Sequence, residues 1–305
     1  MVVKMPQTLQ QGVKSSFGGR GDKVMSRLVF AVSMAGILLM VFILGFLVYN
    51  GLPVLKESSI KEIFTGFDWY PVEEPPALGM LPLIVGTFAA TLLSSVLALP
   101  IAISLEVFAA EIAPKKMRSF IKVLLELLGF IPSIVLGFLG MMVVAPWMQE
   151  ALGIATGLNL LNASVLLGFL VIPVVASLSE EALTAVPREL RDASYALGAT
   201  RWETTRRVVI PYAIPGIISA VLLGVMRALG ETMVVLMAAG GAAIVPEIIT
   251  DPIRPLTSTI AAEMGETPVG STHYHALFFA GLVLLLITLI INLASFYVEN
   301  RGKRS

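Results

Sequence analysis

Apolar residues gather into six long runs, and the segments between them concentrate charge, proline and glycine. The runs cover 28–49, 83–105, 127–147, 163–179, 208–239 and 276–298. As helices rising about 1.5 Å per residue, they are long enough to cross about 30 Å of hydrocarbon. Backbone polar groups in lipid must be satisfied within the segment, so runs of this kind predict transmembrane helices. The fifth run is longer than a span needs and carries two charges, Arg227 and Glu231, which leaves its ends open. The first follows a polar tail, exceeds the apolar core of a signal peptide and precedes no small-x-small cleavage site, so it is expected to stay as an anchor.

The chain is 56% hydrophobic and 14% charged over 305 residues, which excludes a soluble domain and gives an all-α membrane protein. Its formal net charge of zero hides an asymmetry. Seventeen of the 21 Lys and Arg lie in the N-terminal tail, the loop before the third run, the loop before the fifth and the C-terminal tail. By the positive-inside rule both termini are cytoplasmic. The expected organisation is a cytoplasmic tail over 1–27, a transmembrane domain over 28–298 with a cytoplasmic loop at about 181–207, and a second cytoplasmic tail over 299–305.

Two outer segments remain. Segment 51–78 is turn-rich and net acidic, and 240–274 mixes apolar pieces with Pro246, Pro252 and Pro255, which suits a chain folded back against the bundle. The absence of Cys removes disulfides and thiolate metal sites. His273 and His275 in the last outer loop are expected as a solvated pair rather than metal ligands.

The loop at 181–207 carries the most local information. Pro187 is placed to open a helix and Gly198 to end it in a left-handed cap; Thr200 and Glu203 then form a capping box for a second short helix. Arg188, Arg191, Arg201, Arg206 and Arg207 give this helix–turn–helix its charge, and Ala193, Ala196, Leu197 and Trp202 its apolar contacts.

Its spacing is Asp192-Ala193-Ser194, three residues, Gly198, nine residues, Val208, one residue, then Ile210-Pro211. That resembles the EAA-x3-G-x9-I-x-LP loop by which ABC importer permeases grip their ATPase, with Asp192 and Ser194 departing from the consensus but keeping charge or size. The sequence Arg-Ala-Leu-Gly-Glu-Thr at 227–232 follows as in the phosphate-importing branch. Asp68-Trp69-Tyr70-Pro71, Leu78-Gly79-Met80-Leu81-Pro82, Gly86-Thr87 and Glu126-Leu127-Leu128-Gly129-Phe130-Ile131-Pro132-Ser133 are similar to the C-type permease subunits of phosphate-specific transport (Pst) systems. The resemblance covers roughly 64–297.

The resemblance implies six transmembrane helices of the type I ABC importer permease kind in the cell membrane, translocating inorganic phosphate. It also implies a homologous second permease, two cytoplasmic ATP-binding subunits and an extracytoplasmic phosphate-binding protein. Asp192, Ala193, Ser194, Gly198, Ile210 and Pro211 would couple the chain to the ATPase. No G-x4-G-K-[ST] loop is present, so the chain is expected to be no enzyme and to bind no cofactor, the ATP being used by a partner subunit. Molybdate or sulfate permeases, which carry a similar Arg-x-x-Gly-Glu element, are the nearest alternative. An ion-coupled secondary transporter is a more distant one.

Arg227 and Glu231 are the charges placed well inside a run, where ionisable groups are costly. At i, i+4 they are able to neutralise each other, but Arg before Glu is the weaker helical order. A guanidinium suits phosphate oxygens. Arg227, with Glu231 and Thr232, is therefore the expected substrate path. Glu106 and Glu126, at cytoplasmic ends of runs, are expected to be solvated or helix-pairing.

Overall fold

The computed structural model of the chain describes residues 20–302. The tail expectations at 1–19 and 303–305, including Lys4, Lys14, Lys303 and Arg304, lie outside the described residues. The described chain divides into one unit ending at Tyr49 and another beginning at Asn50. Helix α1 (Arg20–Gly51) carries the first apolar run. Within the first unit Phe42 and Phe46 stack one turn apart, with ring centroids 6.1 Å from each other.

The second unit opens with a 3-10 turn (Leu52–Lys56) and α2 (Ile60–Thr65), whose Ser59 cap accepts from the Glu62 N–H. Strands β1 (Trp69–Tyr70) and β2 (Ala77–Leu78) pair antiparallel, Trp69 opposite Leu78. Helix α3 (Leu81–Val107) runs on through a π turn (Phe108–Ile112). Then come α4 (Lys115–Phe130), α5 (Ser133–Leu139), a π turn (Gly140–Val144), α6 (Ala145–Leu152) and α7 (Leu160–Thr184). The loop helices α8 (Arg188–Ala196) and α9 (Arg201–Thr204) lead through a π turn (Thr205–Val209) into α10 (Ile210–Leu229). Short α11 (Met233–Ala238) and α12 (Leu256–Glu263) precede α13 (Thr272–Gly302). Among the described residues six helical stretches are long and apolar enough to cross a membrane.

Helix α7 forms the axis. Leu166, Leu167, Val171, Val175, Ala176 and Leu183 are at most 1% exposed, because α3 packs along one side of α7 and α10 along another. Ala98 and Ala102 of α3 and Ala220 of α10 share one core cluster with Val171 and Val175. A Cβ on Gly224 of α10 would collide with the Val175 side chain. Small residues at such crossings let backbones approach closely, which drives helix association where water is absent.

Two runs are cut differently from expectation. The third begins not at 127 but at Ser133, because Pro132 has no N–H and forces Ile131 out of helical geometry, to φ −66° and ψ 122°. The residues before it belong to α4, an amphipathic helix that buries Ile121 and Leu125 against Ala109 and Ala176. The fifth run breaks after Leu229, and 233–238 form the separate helix α11.

Segment 240–274 does fold back. Gly240 and Gly241 take left-handed φ of 92° and 69°, and Gly240 pairs with Ile253. This turn brings carbonyls to the start of α7: Leu160 N–H donates to Asp251 O at 2.9 Å, Leu161 N–H to Ile249 O at 2.8 Å and Asn159 N–H to Ala238 O at 3.1 Å. Those are among the N–H groups a helix start leaves without internal partners. The histidines are engaged rather than solvated. His273 Nε2 lies 2.8 Å from Glu263 Oε2, and His275 Nδ1 lies 2.6 Å from Asn50 O. Glu263 also accepts from Arg254 Nη1 at 2.7 Å and Trp69 Nε1 at 3.1 Å, so one carboxylate joins the hairpin, α12 and the start of α13.

The α7–α10 crossing yields a packing prediction. Gly224→Val should overpack the interface and cost about 1–3 kcal/mol of stability. Thermal unfolding of the purified chain should show that loss, with partial recovery when Val175→Ala is added. Unfolding of Gly224→Val at the wild-type temperature would contradict the close crossing.

Candidate functional site

The break between α10 and α11 places two groups on the carboxylate of Glu231 and a third on its backbone oxygen. Glu231 is 4% exposed, yet every side of it is met. Oε2 accepts from Arg227 Nη1 at 2.7 Å, and Oε1 accepts from the Met233 N–H at 3.2 Å. Its backbone oxygen accepts from Thr257 Oγ1 at 2.8 Å, which ties α12 to the break. The neighbouring N–H of Leu256 donates to Thr87 Oγ1 of α3 at 2.9 Å, a second tie from α12 into the bundle.

Arg227 and Glu231 are therefore brought together, but not on one helix face deep in a span. Arg227 stands in the last turn of α10, and Glu231 lies beyond its end. The helical-order rule does not govern such a pair, because the break lets the carboxylate swing back onto the guanidinium. Thr232 sits beside it, with Oγ1 3.5 Å from Gly230 O.

The pair is asymmetric: the Arg227 side chain is 45% exposed while Glu231 is 4%. Only one guanidinium nitrogen, Nη1, has a protein partner among the described residues. A planar donor array is left facing outward and held by a buried anion. Such an array matches the geometry of an oxyanion, and Glu231 offsets the guanidinium's charge.

The second candidate region is the α8–α9 loop. Gly198 has φ +82° with open space where a Cβ would be, so its constraint is conformational and not steric. Thr200 and Glu203 form the reciprocal capping box. Asp192 and Ala193 lie exposed on α8. Ser194 Oγ is 2.9 Å from Thr204 Oγ1, joining α8 to α9, and Ile210-Pro211 open α10.

One residue has a role that sequence reasoning gave no sign of. Arg191 donates from Nη1 to both oxygens of Glu111, at 2.7 and 2.9 Å, and from Nη2 to Leu183 O at 2.9 Å. It rivets α8 to the π turn after α3 and to the end of α7. The pairing spans 80 residues, so no local pattern announces it. The apolar side chains expected as the loop's contacts face outward: Leu197 is 90% exposed and Trp202 54%. No residue of α8 is buried.

The family described as "Binding-protein-dependent transport system inner membrane component" matches residues 102–304. The chain is 37% identical over 285 residues to "Probable ABC transporter permease protein YqgH" of Bacillus subtilis (strain 168), covering 92% of each. It is 33% identical over 243 residues to "Phosphate transport system permease protein PstC" of Pasteurella multocida (strain Pm70), covering 73% of this chain and 75% of that one. Among solved structures, a bacterial alginate ABC transporter in complex with an alginate pentasaccharide-bound periplasmic protein aligns over 92% of this chain and 96% of that one, with a TM-score of 0.64 at 15% identity. An inward-facing MetNI methionine ABC transporter aligns over 73% and 97%, at 0.57 and 22%. Identities this low establish a shared fold.

The asymmetry of the ion pair fixes what should follow from breaking it. Arg227→Gln leaves a buried carboxylate without its cation and should cost about 1–3 kcal/mol, less than a fully buried pair because water reaches the guanidinium. Adding Glu231→Gln should recover most of the loss. Thermal unfolding of the two purified variants is the check, and an unchanged single variant would mean that the pair is not formed.

Proposed function

Because the chain belongs to the family of binding-protein-dependent transport system inner membrane components, we propose that it is the permease subunit of an ATP-driven ABC importer of inorganic phosphate. The observation that carries the substrate is its likeness to proteins named phosphate transport system permease protein PstC, at 33% identity in Pasteurella multocida and Mesorhizobium japonicum and 31% in Haemophilus influenzae. The Arg227 fork supports the same reading, since a planar donor set suits phosphate oxygens. Molybdate or sulfate remains the second reading, favoured only by the same Arg-x-x-Gly-Glu element.

An anion entering a cell that is negative inside climbs about 2.3 kcal/mol per charge per 100 mV. Import therefore needs a source of work. That work comes from ATP on a separate subunit, which docks on α8 and α9. The exposed Leu190, Tyr195, Leu197 and Trp202 are the surface it covers. The complete importer pairs this chain with a homologous permease, two cytoplasmic ATP-binding subunits and an extracytoplasmic phosphate-binding protein. Both termini and the α8–α9 loop face the cytoplasm.

The movement has a physical route. Arg191 and Ser194 join α8 to the helices around it, and α9 runs through one π turn into α10. Helix α10 has 20 residues, so it is about 30 Å long. Arg227 stands at its far end. A shift of the loop carries Arg227 with it, changing which side of the membrane its free donors face.

Uptake of labelled phosphate, in cells lacking their own importer and supplied with the partner subunits, tests the reading. Arg227→Lys keeps the charge and loses the fork, and should lower uptake strongly while the complex still assembles. The double variant Arg227→Gln with Glu231→Gln should assemble and remain inactive; normal uptake there would remove Arg227 from the substrate path. Gly198→Val, strained by about 1–2 kcal/mol at its left-handed position, should lose the co-purifying ATPase.

Orientation has its own check, because the natural chain has no Cys. A cysteine at Val269, which is 86% exposed, should react with an impermeant maleimide in intact cells. One at Arg206 should react only after lysis. The reverse pattern would invert the topology.

A further inference from the structure

Glu106, near the end of α3, is 3% exposed, and no hydrogen bond reaches its carboxylate among the described residues. Of the two roles expected for it, solvated or helix-pairing, burial removes the first. Glu106 lines a cavity of about 380 Å³ enclosed by α3, α4 and α7. The cavity's nearest basic groups are already engaged with another acid. Arg118 Nη2 lies 2.8 Å from Glu180 Oε1, and Lys122 Nζ lies 3.4 Å from Glu180 Oε2. Glu180 thus takes both direct contacts, while Arg118 and Lys122 act on Glu106 only through space. A carboxylate lining a cavity without a hydrogen-bonded partner is an open acceptor for a ligand's N–H donors. Among the described residues no cluster of His, Asp and Glu suits a metal ion.

The position of the cavity narrows what that ligand is. Helix α4 buries Ile121 and Leu125, exposes Phe120, Leu124 and Leu127, and starts with exposed Lys115 and Lys116. A helix of that pattern lies at the boundary between headgroups and hydrocarbon. The charged group most available at that depth is a phospholipid headgroup. Arg118 and Lys122 keep donors free for a phosphate, while Glu106, Glu126, Glu180 and Glu181 in the lining repel a headgroup of net negative charge. Choline has no N–H to give Glu106, whereas ethanolamine has three.

We propose that this cavity binds the headgroup of an ethanolamine phospholipid, its primary ammonium on Glu106 and its phosphate on Arg118 and Lys122. Bound there, the lipid pins α4 against the ends of α3 and α7. The site is independent of Arg227 and of the transported ion.

Native mass spectrometry of the full-length chain in detergent tests this, with phosphatidylethanolamine, its N-methyl and N,N-dimethyl forms, phosphatidylcholine and phosphatidylglycerol supplied at equal concentration. Phosphatidylethanolamine should be retained most, with retention falling at each added methyl. Glu106→Gln should weaken it about tenfold, as losing a charge-assisted hydrogen bond does. Glu150→Gln, on the exposed surface of α6, should leave it unchanged. Equal retention of phosphatidylcholine or phosphatidylglycerol, or full retention by Glu106→Gln, would overturn the proposal. So would Glu106-dependent binding of spermidine without retained phosphatidylethanolamine, which would make a soluble amine the ligand. Should Glu106→Gln fail to accumulate, the methylation series on the natural chain decides alone.

Discussion

Hydrocarbon supplies no hydrogen bonds, so each polar group this chain takes into the membrane must find its partner in the protein. Much of the architecture follows from that constraint. Hydroxyls of Thr87, Thr91 and Ser95 on α3 bond to carbonyls one turn back on their own helix, and Thr87 accepts from the N–H of Leu256 as well. The start of α7 is met by carbonyls from the returning 240–254 segment. The carboxylate of Glu231 is buried because a guanidinium and a backbone N–H meet it there. The irregular chain between α11 and α12 is therefore the piece that completes the hydrogen bonding at the start of α7.

How far the sequence revealed this depends on the distance over which each interaction acts. Long apolar runs, the Gly198 turn and the Thr200–Glu203 cap are local, and periodicity or spacing is enough to read them. The start of the third run is obscured because 127–130 are as apolar as a span; the decisive signal is Pro132, which forbids helix at Ile131. The break in the fifth run is hidden for a different reason, since it is held by a contact with Thr257, 26 residues away. Arg191 with Glu111, and Glu263 with Trp69, are joined across 80 and 194 residues, and composition alone has no means of pairing them.

The α8–α9 loop and the Arg227 break stand at opposite ends of α10. Helix α10 contains Pro215 yet stays helical through Leu229, so under the proposed reading a movement at its start reaches Arg227. Small residues on its α7 side, Gly216 and Gly224 with Ala220 between, allow close contact. The notch at Gly224 receives the Val171 and Val175 side chains, so α7 and α10 interlock there. In the proposed reading α10 moves along α7 by small shear steps between discrete arrangements.

Under the proposed reading, the Arg227–Glu231 pair at the end of α10 decides how the site meets an anion. The backbone of Glu231 is tied both to α12, through the Thr257 hydroxyl, and to the last turn of α10, where its N–H donates to Ala228 O at 3.2 Å; Arg227 belongs to α10 itself. The 2.7 Å contact therefore joins a guanidinium on α10 to a carboxylate held at the junction with α12. In the proposed reading, the closed pair leaves the site neutral, whereas separating its members returns charge to the guanidinium, and an oxyanion is then the replacement for the lost carboxylate. Anion affinity in that reading depends on the Arg227–Glu231 separation rather than on a fixed pocket, and the returning carboxylate competes with the anion for the same donors.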